Sequence, residues 1–319
     1  MPSDVSSSLL SPVDLSDLAI GNMGIPYAHR LESGQPGPAV LVTALVHGNE
    51  LCGAHALRRF FDLGIRPVKG SLVCCFCNFE AYATFDPALP ARARFVDEDF
   101  NRVWDIDVLD GARRSAELER AREVRPLVDE ADFLLDIHSM QTDSEPLMLS
   151  GVHRRGIDLA RRMGYPRVIV SDAGHAAGLR MRDYGGFGGE GEGPTALLAE
   201  CGQHLDPAAA DAACEVLARF LLTLGVISRE DALRLSALPQ RPQPKLIEVT
   251  GRVTVRHAGF RFEGDPDSLQ VIPKAGTVIG VDGGEPVRTP HDDCVLIMPS
   301  RRLAPGQTAV RLGRFMDPS

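Results

Sequence analysis

The sequence predicts an α/β protein: a mixed, largely parallel sheet flanked by helices over residues 1–240, then a small all-β domain over 245–319. Three observations predict it. An apolar run over 39–46, a helix-spaced stretch over 51–63 and a second apolar run over 71–76 form a strand–helix–strand unit, which favours parallel pairing. Further strand-like runs, at 133–137, 167–170 and 194–200, alternate with helical stretches. After the proline-rich stretch 238–244 the texture changes to short β-like runs separated by Gly, Pro and Asp turns.

Taken in order, residues up to about 38 read as an entry segment that closes on the turn-forming 33–38. Leu51, Ala54, Leu57 and Phe61 recur at helical spacing behind the first strand. Residues 82–108 are aperiodic and crowded with Arg, Asp and aromatics, and a long loop of that kind inside a compact domain is more often functional than decorative. Residues 112–130 read as a helix with Leu118, Ala121, Leu127 and Val128 on one face, and 151–164 as another. Residues 183–193 hold so many glycines that they are expected to form a mobile loop over the site. Asp206 and Pro207 open a helix to about 224 as N-cap and first residue. Beyond the linker, strands are expected at 246–249, 252–255, 278–281 and 294–298.

Composition narrows the function. A net charge of −9, with both signs mixed along the chain, argues against nucleic acid as a partner while leaving room for a local basic pocket. No apolar run nears the roughly 20 residues needed to span a membrane, and the first fifteen residues lack the basic cluster of a signal or transit peptide. A cytoplasmic protein with reduced thiols is therefore expected for its 7 cysteines. Cys74, Cys75 and Cys77 lack the paired knuckles of a structural zinc site.

The chemistry gathers at strand ends, where open α/β sheets place their ligands. In Val46-His47-Gly48-Asn49-Glu50, His47 and Glu50 can turn toward one metal ion. Catalytic zinc usually takes three protein ligands and a water, and Asp136-Ile137-His138, closing another apolar run, offers the third in His138. Glu200 ends a further strand and can exchange a proton with a water held there. Nitrogen, carboxylate and water ligands favour one Zn²⁺ per chain but also suit other divalent ions. Taken singly, each of these residues has a plain structural reading. His29, His55, His153, His175, His204, His257 and His291 follow no ligand spacing and are read as structural.

Four motifs in order, His47-Gly48-Asn49-Glu50, then 94–102 (Arg94-Phe95-Val96-Asp97-Glu98-Asp99-Phe100-Asn101-Arg102), Asp136-Ile137-His138 and Glu200, make the chain resemble the zinc-dependent succinylglutamate desuccinylase/aspartoacylase family, within the zinc carboxypeptidase-like fold. The resemblance implies His47, Glu50 and His138 as zinc ligands and Glu200 as general base and acid. It implies Arg94 as support for the oxyanion, Asn101 and Arg102 as the clamp on the substrate's carboxylate, and Asp99 as the acid that orients His47. The expected reaction is hydrolysis of an N-acyl amino acid, of acetyl or succinyl type. A metallocarboxypeptidase acting on short peptides and a non-catalytic zinc-binding module are the alternatives. Arg180, Arg182 and Tyr184 are candidates for the acyl carboxylate, and 282–315 contains no Tyr for that task, which speaks against N-acetylaspartate. The C-terminal domain would narrow the cleft or mediate a homo-oligomer, and the sequence leaves both open.

Overall fold

The computed structural model describes residues 9–174, 177–301 and 303–316. Its strands are β1 (Ala28–Glu32), β2 (Ala39–Ala44), β3 (Ser71–Phe76), β4 (Phe133–Met140), β5 (Leu147–Leu149), β6 (Val168–Ser171) and β7 (Thr195–Gln203). After the linker come β8 (Lys245–Thr254), β9 (Arg261–Phe262), β10 (Gln270–Ile272), β11 (Val278–Asp282), β12 (Glu285–Arg288), β13 (Cys294–Ile297) and β14 (Thr308–Phe315). The helices are α1 (Cys52–Asp62), α2 (Phe79–Ala83), α3 (Ile106–Leu109), α4 (Ala116–Asp129), α5 (Arg154–Met163), α6 (Pro207–Thr223) and α7 (Arg229–Leu235).

One 11-stranded sheet dominates, in the order β1-β3-β2-β4-β7-β5-β6-β8-β14-β13-β10. The centre β3-β2-β4-β7 is parallel, as are β5-β6-β8, while β7 and β5 run antiparallel to each other. Apolar runs without alternation explain the centre, because its strands are covered on both faces. Val40, Val42 and Ala44 pack with α1 and α6 residues such as Leu57, Phe60 and Leu217. Leu41, Val73 and Leu134 pack on the other face with Trp104 and with Leu118 and Val124 of α4. Caps end the helices as the sequence suggests: the Asp206 side chain accepts from Ala208 N, and α5 stops at Gly164 with φ 71°.

Strand β2 stops two residues before the expected end because Leu45 adopts φ 55° and starts the turn that carries His47. Two expected strands, 246–249 and 252–255, are one strand, β8, whose register against β14 slips beside Gly251. Strand β8 is parallel to β6, so the sheet continues through the linker into the C-terminal region. Among the described residues, no helix is long and apolar enough to cross a membrane.

Candidate active site

The site lies where β2, β4 and β7 end. His47 and Glu50 sit in the turn after β2, and Gly48 is held so tightly that a Cβ there would stand about 2.5 Å from backbone atoms of Ala81, Tyr82 and Ala93. Only glycine fits, and its N–H donates to Arg94 O at 3.2 Å, tying the turn to the loop that carries Arg94 and Asp99. That loop, expected to be irregular, has an organiser. Glu117, fully buried in the first turn of α4, accepts from the N–H groups of Val96 (2.6 Å), Asp97 (3.0 Å) and Glu98 (3.1 Å) and from Asn78 Nδ2 (2.9 Å). Three consecutive peptide N–H groups on one carboxylate fix the loop's path as firmly as a short helix end would.

His47, Glu50 and His138 are buried, and one ligand atom from each lies within 4.8 Å of the others. Glu50 faces both rings: Oε1 is 2.7 Å from His47 Nδ1, and Oε2 is 2.8 Å from His138 Nδ1. Each ring's other nitrogen, Nε2, meets an aspartate, Asp99 at 3.0 Å for His47 and Asp136 at 2.7 Å for His138. Asp136 is itself held by Thr43 Oγ1 at 2.8 Å. Carboxylates behind metal-binding histidines fix ring orientation and tautomer, so the donor set fits a divalent metal held through both Nδ1 atoms and Glu50.

Arg94 closes this cluster, donating to Glu50 Oε1 (3.1 Å) and Asp99 Oδ2 (2.9 Å), with Nη2 2.8 Å from His47 Nε2. Burial opposes ionisation of Glu50, but His47 and His138 outweigh it and hold the carboxyl well below its usual range. Glu200 goes the other way. Burial pushes it up to about 8, with the Glu50 charge adding, against the pull of His138 and Arg94. Its Oε2 is buried and has no hydrogen-bond partner among the described residues.

A cleft of about 790 Å³ takes in all eight residues singled out by the sequence: His47, Glu50, Arg94, Asp99, Asn101, Arg102, His138 and Glu200. Asn101 Oδ1 accepts from Met181 N at 2.8 Å, and Arg102 Nη1 donates to Asn101 O at 2.6 Å. Burial brings Arg102 down to about 10, and the nearby charges of Arg94, Arg180 and Arg311 work in the same direction, against Asp99.

Of the three candidates for the acyl carboxylate, only Arg180 lines the cleft. Arg182 is turned away, onto Asp183, Ser150 O and Ala196 O. Tyr184 packs on Trp104 and bonds Asp129 and Arg125. The glycine-rich stretch is not a cover for the site, since none of residues 183–193 lines the cleft. Arg155 of α5 gathers it instead, donating to the carbonyls of Gly186, Phe187, Gly189, Gly191 and Pro194. One guanidinium with five donors can satisfy backbone that has no side chains of its own to order it. His175, read as structural, lies outside the described residues.

Two wall residues had no signal in the sequence. His204, also read as structural, lines the cleft with its Nδ1 2.9 Å from Ser139 Oγ. Arg311, on the unexpected strand β14, reaches in from the C-terminal region, where Asp172 Oδ2 takes both Arg311 Nε (3.1 Å) and Arg180 Nη1 (2.9 Å). Arg311 and Arg180 outweigh burial and keep Asp172 below the usual carboxylate range. A lowered folded-state pKa stabilises the fold above the unfolded value, near 4, and that stabilisation is lost as pH falls through the lowered value. Asp172→Asn, which takes the shared negative charge from Arg180 and Arg311, is expected to destabilise the protein by about 3–5 kcal/mol at pH 7. Urea unfolding should show the gap between parent and variant shrinking toward pH 3.

A cluster of two histidines and a carboxylate that could hold a metal ion lies at the carboxyl ends of a mixed sheet, with Glu200 in the same cleft. Residues 36–211 match the model of the succinylglutamate desuccinylase/aspartoacylase catalytic domain, and the chain belongs to that family of acyl-amino-acid amide hydrolases. Solved structures of similar fold include succinylglutamate desuccinylase from Vibrio parahaemolyticus (18% identity, 91% of this chain and 86% of that one, TM-score 0.68). A succinylglutamate desuccinylase/aspartoacylase from Rhodobacter sphaeroides is also similar (18%, 96% and 94%, TM-score 0.63). So is the product-bound ectoine utilization protein EutE (DoeB) from Ruegeria pomeroyi (17%, 96% and 93%, TM-score 0.62). A search of curated protein sequences returned no match.

Proposed function

We propose that the chain is a zinc-dependent amidohydrolase that splits an N-acyl amino acid, of acetyl or succinyl type, into a carboxylate and a free amine. The observation that carries this reading is Glu200: a half-buried side chain whose Oε2 is itself buried and has no hydrogen-bond partner among the described residues, in the same cleft as His47, Glu50 and His138. A buried polar atom left without a partner is unfavourable, and here a water or a substrate N–H would complete it. Zinc held by His47, Glu50 and His138 would supply Lewis acidity toward the attacking water and the acyl carbonyl. Glu200 takes the proton from that water and returns it to the departing nitrogen, and burial suits it for both tasks by raising its proton affinity.

Arg94 puts a fixed positive charge beside the metal ligands, where the oxyanion develops. Arg102, half-buried and with no ion pair to a carboxylate among the described residues, receives the amino acid's carboxylate, with Asn101 setting the approach. Met298, Pro299, Ser300, Gln307, Thr308 and Arg311 form the opposite wall, which supports a small substrate over a peptide. In this reading 1–240 carries the hydrolase machinery and 245–319 the wall. All seven cysteines are buried free thiols, in keeping with a cytoplasmic setting.

The test is a zinc-loaded screen for released amine across N-acetyl, N-succinyl and N-formyl amino acids. Release from one acyl class identifies the substrate family. Silence across the panel with zinc demonstrably bound would overturn the reading.

A further inference from the structure

Each candidate metal ligand has an outer partner, and two of the three are evident: Asp99 behind His47 and Asp136 behind His138. The third, Glu50, has Arg94 on Oε1 and, on Oε2, a peptide group. Ser139 N donates to Glu50 Oε2 at 3.2 Å, the oxygen that also faces His138. A peptide N–H orients a carboxylate only as well as the peptide itself is held, and Ser139 sits where the strand ladder fails. His138 pairs with Glu200 and Met140 with Gln203, so Cys201 and Gly202 together stand opposite Ser139. This is a bulge, a device found beside active sites that re-aims side chains and leaves a residue outside the regular pairing. Gly202 carries it at φ 119°, a conformation other residues rarely adopt.

The group that takes over from the ladder is His204. Its backbone N–H donates to Met140 O at 2.9 Å, just past the bulge, and its Nδ1 is 2.9 Å from Ser139 Oγ. Both residues are buried, so the hydroxyl–imidazole bond is shielded from competing water. We infer that the Ser139–His204 pair is a positioning device for Glu50: the imidazole fixes the Ser139 hydroxyl, the fixed residue aims its N–H, and the N–H sets the plane of the ligating carboxylate. The inference rests on the metal reading proposed above. His204 is a positioning residue in this scheme, since its imidazole reaches Glu50 through Ser139.

Loss of an outer partner typically weakens metal binding about 10–100-fold. Zinc affinity, measured by competition with a chromophoric chelator, is therefore expected to fall by that factor in His204→Ala and in Ser139→Ala. The double variant should be no weaker than either single one, because both remove the same bond. His204→Asn, which can place a hydrogen-bonding atom near the Nδ1 position, should recover most of the affinity. A residue that merely fills space would lower the melting temperature of the metal-free protein without this pattern. Ser139→Ala, which deletes one oxygen, keeps the test open if His204→Ala does not fold. Parent-like zinc affinity in the single variants, or additive losses in the double one, would overturn the inference while leaving the metal reading intact. A parent protein that binds no zinc would overturn both.

Discussion

Glu200→Gln is expected to retain zinc at parental affinity and to turn over its substrate about 10²–10⁴-fold more slowly. The substitution keeps the shape of the side chain at the end of β7 and removes only its ability to exchange a proton. Nothing among the described residues bonds Glu200 Oε2, so an amide group there breaks no hydrogen bond to that atom. Burial has already raised the carboxyl to about 8, so a neutral amide suits the pocket, and the metal-free variant should melt no lower than the parent. The measurement is a paired one: zinc content after dialysis, and single-turnover amine release on the substrate found in the screen. Full zinc with unchanged turnover would show that another group moves the proton.

Glu50→Ala should do damage of a different kind. Zinc binding is expected to be lost, and the metal-free protein to be destabilised by about 3–5 kcal/mol, the range for removing one partner of a buried charged pair. Four groups converge on this one carboxylate: His47 Nδ1, His138 Nδ1, Arg94 Nη1 and Ser139 N. Alanine leaves the guanidinium and the peptide N–H facing a hole. Glu50→Gln retains one oxygen acceptor and should fall between parent and alanine in urea midpoint. A metal-free Glu50→Ala protein that unfolds with the parent would mean that the carboxylate is a ligand only and contributes nothing to the apo fold.

Much of the site was legible because its chemistry sits in short motifs at strand ends. His47, Glu50, His138 and Glu200 each close or follow an apolar run, and the fold brings those ends together. Asp99, two residues before the Asn101-Arg102 pair, lies with Oδ1 3.0 Å from His47 Nε2. The role of Asp136 was available in the same motif as His138, two residues apart on one face of a strand, yet a buried aspartate inside an apolar run carries no label of its own.

Long-range partners were not legible. Glu117 reads as an ordinary acid in a helical first turn, and only docking of α4 shows it holding the 96–98 backbone. Arg311 lies on a strand whose short, mixed sequence gave no clear period, and its neighbour Asp172 is 139 positions away. The glycine-rich stretch misled for a related reason. Composition reports the freedom of an isolated chain, and Arg155, a single residue elsewhere, removes that freedom.

The parallel ladder between β6 and β8 bears on how the enzyme admits its substrate. It joins the strands that follow the linker to the sheet that ends at the His47, Glu50 and His138 cluster, with four residues in register from Val168–Lys245 to Ser171–Glu248. Enzymes that open like a jaw keep few bonds across their hinge. Here a rotation wide enough to spread the two walls would shear main-chain hydrogen bonds in the interior of a sheet. The gap is therefore a fixed gauge, and selection by size falls to the side chains that project into it, so an enlarged substrate would be admitted by trimming Met298 or Gln307 rather than by loosening the linker.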